Sequence, residues 1–132
     1  MKLIGMDADV TLIDDVTRSP SAKTIEVLKR CHDNGILLAI ASGRNVEQVQ
    51  TMVKEYNFGY DLDLIIGFNG AEIYDGFLDK KIQYCTLDKE TIKHILTNML
   101  GKYPDLIPQV YNNDYLITVR ESNETYKNHN SY

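Results

Sequence analysis

Three short apolar runs, residues 2–6 (KLIGM), 36–41 (ILLAIA) and 62–68 (LDLIIGF), alternate with two stretches of helical period, and this alternation constrains the fold most. Each run is too short for a stable helix and, Asp63 apart, apolar without alternation. That suits strands buried on both faces of a parallel sheet. Between the first two runs, Ala22, Ile25, Leu28 and Cys31 recur at helical spacing. Ser19-Pro20 supplies an N-cap and a first helical residue, and Asn34-Gly35 a stop. Between the second and third, Asn45 can cap a helix lined by Val46, Val49, Val53 and Tyr56, with Met52 adjoining, until Asn57-Phe58-Gly59 ends it. Strand, helix and strand with short joins make a right-handed βαβ unit, and two such units are half of a doubly wound sheet.

From residue 71 the pattern changes. Residues 71–74 and 81–84 alternate rather than run apolar, and Asp75-Gly76 between them is a turn signal, so an antiparallel pair is expected. Asp88 caps the strongest helical stripe in the chain, formed by Ile92, Ile95, Leu96, Met99, Leu100 and Tyr103 and stopped by Pro104. Residues 106–111 and 115–120 read as a further hairpin across Asn112-Asn113-Asp114. Residues 121–132 are polar and aperiodic. The expected fold is α/β: a partial doubly wound parallel sheet over 1–70, the beginning of a smaller α+β unit over 71–120, and a polar tail over 121–132.

At 132 residues and 43% hydrophobic, the chain has a one-domain length and enough apolar side chains for a core. Its net charge of -5 and lack of a basic stripe argue against a nucleic-acid partner. No apolar run reaches membrane-spanning length or resembles a signal peptide, so a cytoplasmic protein without a membrane partner is expected. Cys31 and Cys85 form no CxxC pair and read as free buried thiols. His32, His94 and His129 have no neighbour at metal-ligand spacing.

Asp7 and Asp9 follow the first run directly, at the carboxyl end of a strand, where open α/β sheets bind their ligands. Two residues apart in extended chain, they point to one side. Ionised carboxylates about 4 Å apart repel by roughly 4 kcal/mol at an effective dielectric of 20. A hard divalent cation such as Mg²⁺, which takes one or two carboxylates plus a substrate phosphate, would offset that repulsion. Ser42-Gly43-Arg44 ends the second run and Asn69-Gly70 the third. Each motif alone is an ordinary turn. Together, at three neighbouring strand ends, they read as a site.

Asp7-Ala8-Asp9-Val10-Thr11, Ser42-Gly43-Arg44 and Asn69-Gly70-Ala71, in this order after three strands, resemble the haloacid dehalogenase-like (HAD) phosphatases. The nearest likeness is to the Cof-type branch, whose large α/β cap (a C2 cap) is inserted after the third core strand. The resemblance covers residues 1 to about 120. It implies a Mg²⁺-dependent hydrolase of small phosphorylated metabolites. Asp7 would be the nucleophile that becomes an aspartyl-phosphate. Asp9 would protonate the leaving oxygen and then take a proton from water. Mg²⁺ would be held by the carboxylate of Asp7 and the main-chain carbonyl of Asp9. Ser42 would bind the phosphoryl group, Gly43 would let the backbone approach it, and Asn69 would lie beside it. Thr11 would position Asp9, and Arg44 would add charge around the substrate.

Two departures stand out. The family has glycine where this chain has Val10, and a β-branched residue resists positive φ. Either the loop stays in ordinary backbone space or its geometry is altered. A complete family member also returns to the core with a lysine motif and a GDxxND-like acidic motif, and nothing in residues 71–132 matches either. Losing one charge-stabilising donor costs roughly 10²–10³ in rate. The chain is therefore expected to be the amino-terminal half of a phosphatase, with a bare first-strand edge through which it self-associates. The alternative is a non-catalytic HAD remnant acting as a metal- or phosphate-binding or interaction module. A response-regulator receiver fails on position, because its phosphoacceptor would end the third strand, where Asn69 stands.

Overall fold

The computed structural model describes residues 2–112 and 115–118. The tip of the last expected hairpin and the polar tail from 121 lie outside the described residues. The chain forms two compact units that divide between Cys85 and Thr86.

The first unit holds a five-stranded sheet in the order β1-β2-β3-β4-β5. β1 (Lys2–Asp7), β2 (Ile36–Ala41) and β3 (Leu64–Gly67) are mutually parallel, in the register Lys2 with Ile36 and Ala39 with Leu64. β4 (Glu72–Asp75) runs antiparallel to β3, and β5 (Lys80–Gln83) antiparallel to β4. The hairpin expected after residue 71 thus extends the parallel sheet, because Leu64 to Gly67 offers β4 an unpaired ladder edge. Its turn needs Gly76: a Cβ there would lie 2.5 Å from the Leu62 carbonyl oxygen, and the Gly76 N–H donates to the Asp63 carbonyl at 2.9 Å. Asp63, the polar break in the third run, continues the pairing with β2. Its carboxylate accepts the Leu38 N–H at 2.8 Å, and its own N–H donates to the Leu38 carbonyl at 3.1 Å.

Helices α1 (Ala22–Asp33) and α2 (Val46–Glu55) cross between the parallel strands. α1 is capped by Ser21, whose hydroxyl accepts the Thr24 N–H at 3.0 Å, so the helix starts later than the Ser19-Pro20 expectation. Ser21 also has a hydroxyl partner at Thr24, 2.8 Å away, which strengthens that cap. α2 begins as expected at Asn45, with a full capping box to Gln48. Such caps are each worth about 1 kcal/mol.

Leu28 from α1 and Val46, Val49, Met52 and Val53 from α2 pack with Leu38, Ile40 and Ile65 in one core cluster. Leu38 and Ile40 share a face of β2, so both helices cover the same side of the sheet. On the other side Leu37, Leu64, Ile66, Ile73 and Ile82 are only half-buried. The expectation of a first strand buried on both faces is therefore corrected. Among the described residues β1 pairs with β2 alone, the bare edge expected of it, but its faces are open and Leu3 is 52% exposed. The thiols are corrected too: both are free, but Cys31 is half-buried and Cys85 exposed.

The second unit holds α3 (Lys89–Lys102) and a two-stranded ladder, β6 (Gln109–Asn112) with β7 (Tyr115–Thr118). Asp88 caps α3 as expected, accepting the Thr91 N–H at 3.0 Å. The helix's apolar stripe is not buried: Ile95 is 40% and Met99 37% exposed. No helix among the described residues is long and apolar enough to cross a membrane.

Candidate active site

β1, β2 and β3 are parallel, so their carboxyl ends, Asp7, Ala41 and Gly67, lie along one edge of the sheet. The three motifs continue from these ends. Ala8 turns into the core, fully buried, and its carbonyl accepts the N–H groups of Leu12 at 3.1 Å and Ile13 at 2.9 Å. This closes the loop after β1 into a tight turn. Val10 stands at its apex with φ 62° and is 73% exposed. The loop has the left-handed backbone that glycine adopts freely, and a β-branched residue carries the strain.

The tight turn brings Thr11 back to the end of the strand. Its hydroxyl donates to an oxygen of Asp7 at 3.3 Å, and no bond from Thr11 to Asp9 accompanies it among the described side-chain bonds. Asp9 has another partner. Arg44 donates from Nη2 to one carboxylate oxygen at 2.7 Å and from Nε to the other at 3.1 Å, a two-pronged ion pair. The arginine side chain is 17% exposed and the aspartate side chain 46%. The hydrogen bonds from Arg44 hold the Asp9 carboxyl below its ordinary value, helped by the guanidinium charge and opposed by burial. The repulsion expected between the two aspartates is thus relieved on the Asp9 side by a cation the chain itself supplies.

The second loop is held through Ser42 and Arg44. Ser42 is buried, its N–H donates to the Ile66 carbonyl at 2.9 Å, and its carbonyl accepts the Asn69 N–H at 3.0 Å. Its hydroxyl accepts the Arg44 N–H at 3.1 Å, which leaves the hydroxyl hydrogen to be given elsewhere. The Arg44 carbonyl accepts the Phe68 N–H at 2.9 Å. A Cβ on Gly43 would lie 3.4 Å from the Asn69 side-chain oxygen, an ordinary contact distance, so the second and third loops lie side by side here. The third loop is a single 3₁₀ turn, Phe68–Gly70, with Asn69 at φ 55° and Gly70 at φ 98°. Asparagine tolerates that backbone better than most side chains.

Sequence reasoning passed over Glu72. It is 2% exposed, and one carboxylate oxygen accepts the Val46 N–H at 2.6 Å, at the first turn of α2. The other lies 3.8 Å from the Lys81 ammonium, which also pairs with Glu47. A negative charge at a helix N-terminus is favourable. Gly67 makes room for it: a Cβ there would sit 3.0 Å from the Glu72 carboxylate. The one signal available was a glutamate on a strand just after the Asn69-Gly70 turn.

Among the described residues, no group of three or more His, Cys, Asp and Glu side chains gathers where it could hold a metal ion. Of the motif residues, Asp7 and Asp9 are the acids at this edge. A cavity of about 230 Å³, lined by Val53, Lys54, Asp61, Leu62, Ile65 and Tyr74 among others, holds none of the motif residues.

Residues 4–132 match the family model described as haloacid dehalogenase-like hydrolase. A 5-amino-6-(5-phospho-D-ribitylamino)uracil phosphatase of Bacillus subtilis, YwtE, is 34% identical over 120 residues, which is 89% of this chain and 38% of that protein. A second curated relative, from Buchnera aphidicola, is 30% identical over 98% of this chain and 43% of its own length. The chain therefore spans about two-fifths of the curated relatives it matches. Among solved structures, a haloacid dehalogenase-like hydrolase from Bacillus subtilis superposes with a TM-score of 0.74 at 24% identity, covering 92% of this chain and 40% of that one. A HAD phosphatase from Bacteroides thetaiotaomicron gives 0.72 at 24% identity, covering 93% and 43%. At that identity the likeness speaks for the fold alone.

Proposed function

The chain belongs to the haloacid dehalogenase-like hydrolases, and from that membership we propose that it carries the nucleophile half of a Mg²⁺-dependent phosphohydrolase acting on small phosphorylated metabolites. The observation that carries this reading is the convergence of the three motif loops at adjacent strand ends, tied by the Arg44–Asp9 pair and the Asn69–Ser42 bond. A carboxylate oxygen of Asp7 would attack phosphorus as the ester P–O bond breaks, and the leaving oxygen would take a proton from Asp9. Water would then attack the aspartyl-phosphate, giving its proton back to Asp9. Ser42 would donate its hydroxyl hydrogen to a phosphoryl oxygen, Gly43 would leave room for that group, and Asn69 would flank it. Thr11 would steady Asp7, the residue it contacts.

The donor set fits Mg²⁺ in a limited way. The exposed carboxylate of Asp7 and the main-chain carbonyl of Asp9 are hard oxygen donors, and Mg²⁺ commonly takes one or two carboxylates and keeps several waters. Bound there, Mg²⁺ would neutralise charge on the phosphoryl group. The named activity of the Bacillus subtilis relative, toward a phosphorylated ribityl compound, supports a small phosphate ester as substrate. A cytoplasmic setting and self-association through the edge of β1 complete the proposal.

A second reading, a non-catalytic module that binds metal or phosphate, is favoured by the engagement of both Asp9 oxygens by Arg44. One assay separates the two: release of p-nitrophenol from its phosphate ester with Mg²⁺, comparing the chain with Asp7→Asn. Turnover by the parent and background release by the variant are expected. Equal background rates would give the chain to the second reading.

A further inference from the structure

Arg44 bonds to all three motif loops. Its side chain grips Asp9 in the first, its N–H donates to the Ser42 hydroxyl in the second, and its carbonyl accepts the Phe68 N–H in the third. An arginine that binds phosphate does so with a pair of adjacent N–H donors presented side by side. In this structure two such donors, on Nε and Nη2, are spent on the carboxylate of Asp9. The pair is partly shielded, with the guanidinium the more buried partner. An arginine reaching for substrate would have the opposite disposition.

We propose that Arg44 is a positioning residue, not a substrate ligand: its two-pronged grip aims the Asp9 carboxyl at the leaving oxygen, and the longer Nε prong opens as that carboxyl takes up from solvent the proton it then gives. This rests on the phosphohydrolase reading above and adds to it how Asp9 is held in place. The loop around Asp9 gives the grip its purpose. Val10, next in the chain, sits in a backbone region that its side chain disfavours, so local preference does not aim Asp9. A partner from 35 residues away does. Lysine cannot replace it, because a single ammonium holds one point and not two.

The role separates from substrate binding by leaving group. A p-nitrophenolate leaves without help, whereas an alkoxide must take a proton as the P–O bond breaks. Arg44→Ala and Arg44→Lys are compared with the parent chain by calorimetric titration with inorganic phosphate in Mg²⁺, and by turnover of p-nitrophenyl phosphate and an n-alkyl phosphate. Both variants should bind phosphate within about twofold of the parent. Both should lose roughly 10²-fold or more on the alkyl ester and less than about tenfold on the nitrophenyl ester, and Asp9→Asn should repeat that pattern. Retained phosphate binding also shows that the variants are folded. A tenfold weaker phosphate affinity in Arg44→Ala would make Arg44 a ligand, and equal losses on both esters would make it a structural brace; either overturns the assignment. A parent chain that binds phosphate but turns over neither ester overturns the assignment too, because no leaving-group dependence then exists for Arg44 to serve. A parent chain that neither binds phosphate nor turns over overturns the functional reading itself, and this assignment with it.

Discussion

Val10 stores energy at the turn that carries the two aspartates. A β-branched residue at φ 62° is held there by its neighbours, chiefly the two N–H groups that close on the Ala8 carbonyl. An L-residue in the left-handed region costs roughly 1–2 kcal/mol. Glycine removes that strain but returns about 0.5–1 kcal/mol through the freedom of the unfolded chain. Val10→Gly should therefore raise stability by about 0.5–1 kcal/mol in urea unfolding followed by circular dichroism. A lower midpoint would mean that the valine side chain, exposed as it is, contributes packing the loop needs. The absence of glycine was visible in the sequence, but its consequence was not. Whether the loop would relax or keep the strained backbone depended on the bonds to Ala8, which no local pattern announces.

At the scale of elements, the junction of α2 with the β3–β4 turn holds the candidate site together. Glu72 is a carboxylate on a strand, yet it serves a helix, accepting the first N–H of α2 and meeting Lys81 on its other side. Truncating it leaves a buried N–H without an acceptor, a loss of about 1–3 kcal/mol. Glu72→Ala is expected to destabilise the chain by that amount in chemical denaturation, and Glu72→Gln, which keeps an acceptor oxygen, by less than half of it. Equal costs for the two would show that charge, not the acceptor, is what α2 requires. The caps at Asn45 and Asp88 were legible because capping is a local pattern over three residues. The Glu72 contact spans 26 residues, and its alternation with Ile73 read as an ordinary two-faced strand.

At the scale of the first unit, its two helices cover one side of the sheet. Both helices of the first unit lie against the face of Leu38 and Ile40, while Leu3 at the edge and Leu37 beside it stay in partial contact with solvent. An unpaired edge strand with exposed apolar side chains is a template for another chain. In line with the proposed self-association, the apparent mass by light scattering should rise with concentration, and Leu3→Lys should hold it at the monomer value by placing a charge on that edge. A monodisperse parent at high concentration would count against association. The alternation of apolar runs with helical periods made the parallel sheet legible. The bare edge of β1, expected from the missing later motifs, is observed, but the expected burial of both its faces is not, because a strand's sequence records which of its faces are apolar and not whether a neighbour covers them.

From the residue order alone came the succession of strands and helices, most of their caps, and the placing of Asp7, Asp9, Ser42, Arg44 and Asn69 at three strand ends. These follow from φ/ψ period, capping chemistry and turn residues, all of which act over a few neighbours. Only the tertiary structure decided that Arg44 meets Asp9, that Thr11 turns to Asp7, and that Glu72 is buried beneath α2. Each of those contacts was set by the register of β1 on β2 and of β4 on β3 or by the closure of one turn, and a shift of one residue along a strand would have sent every side chain to the opposite face.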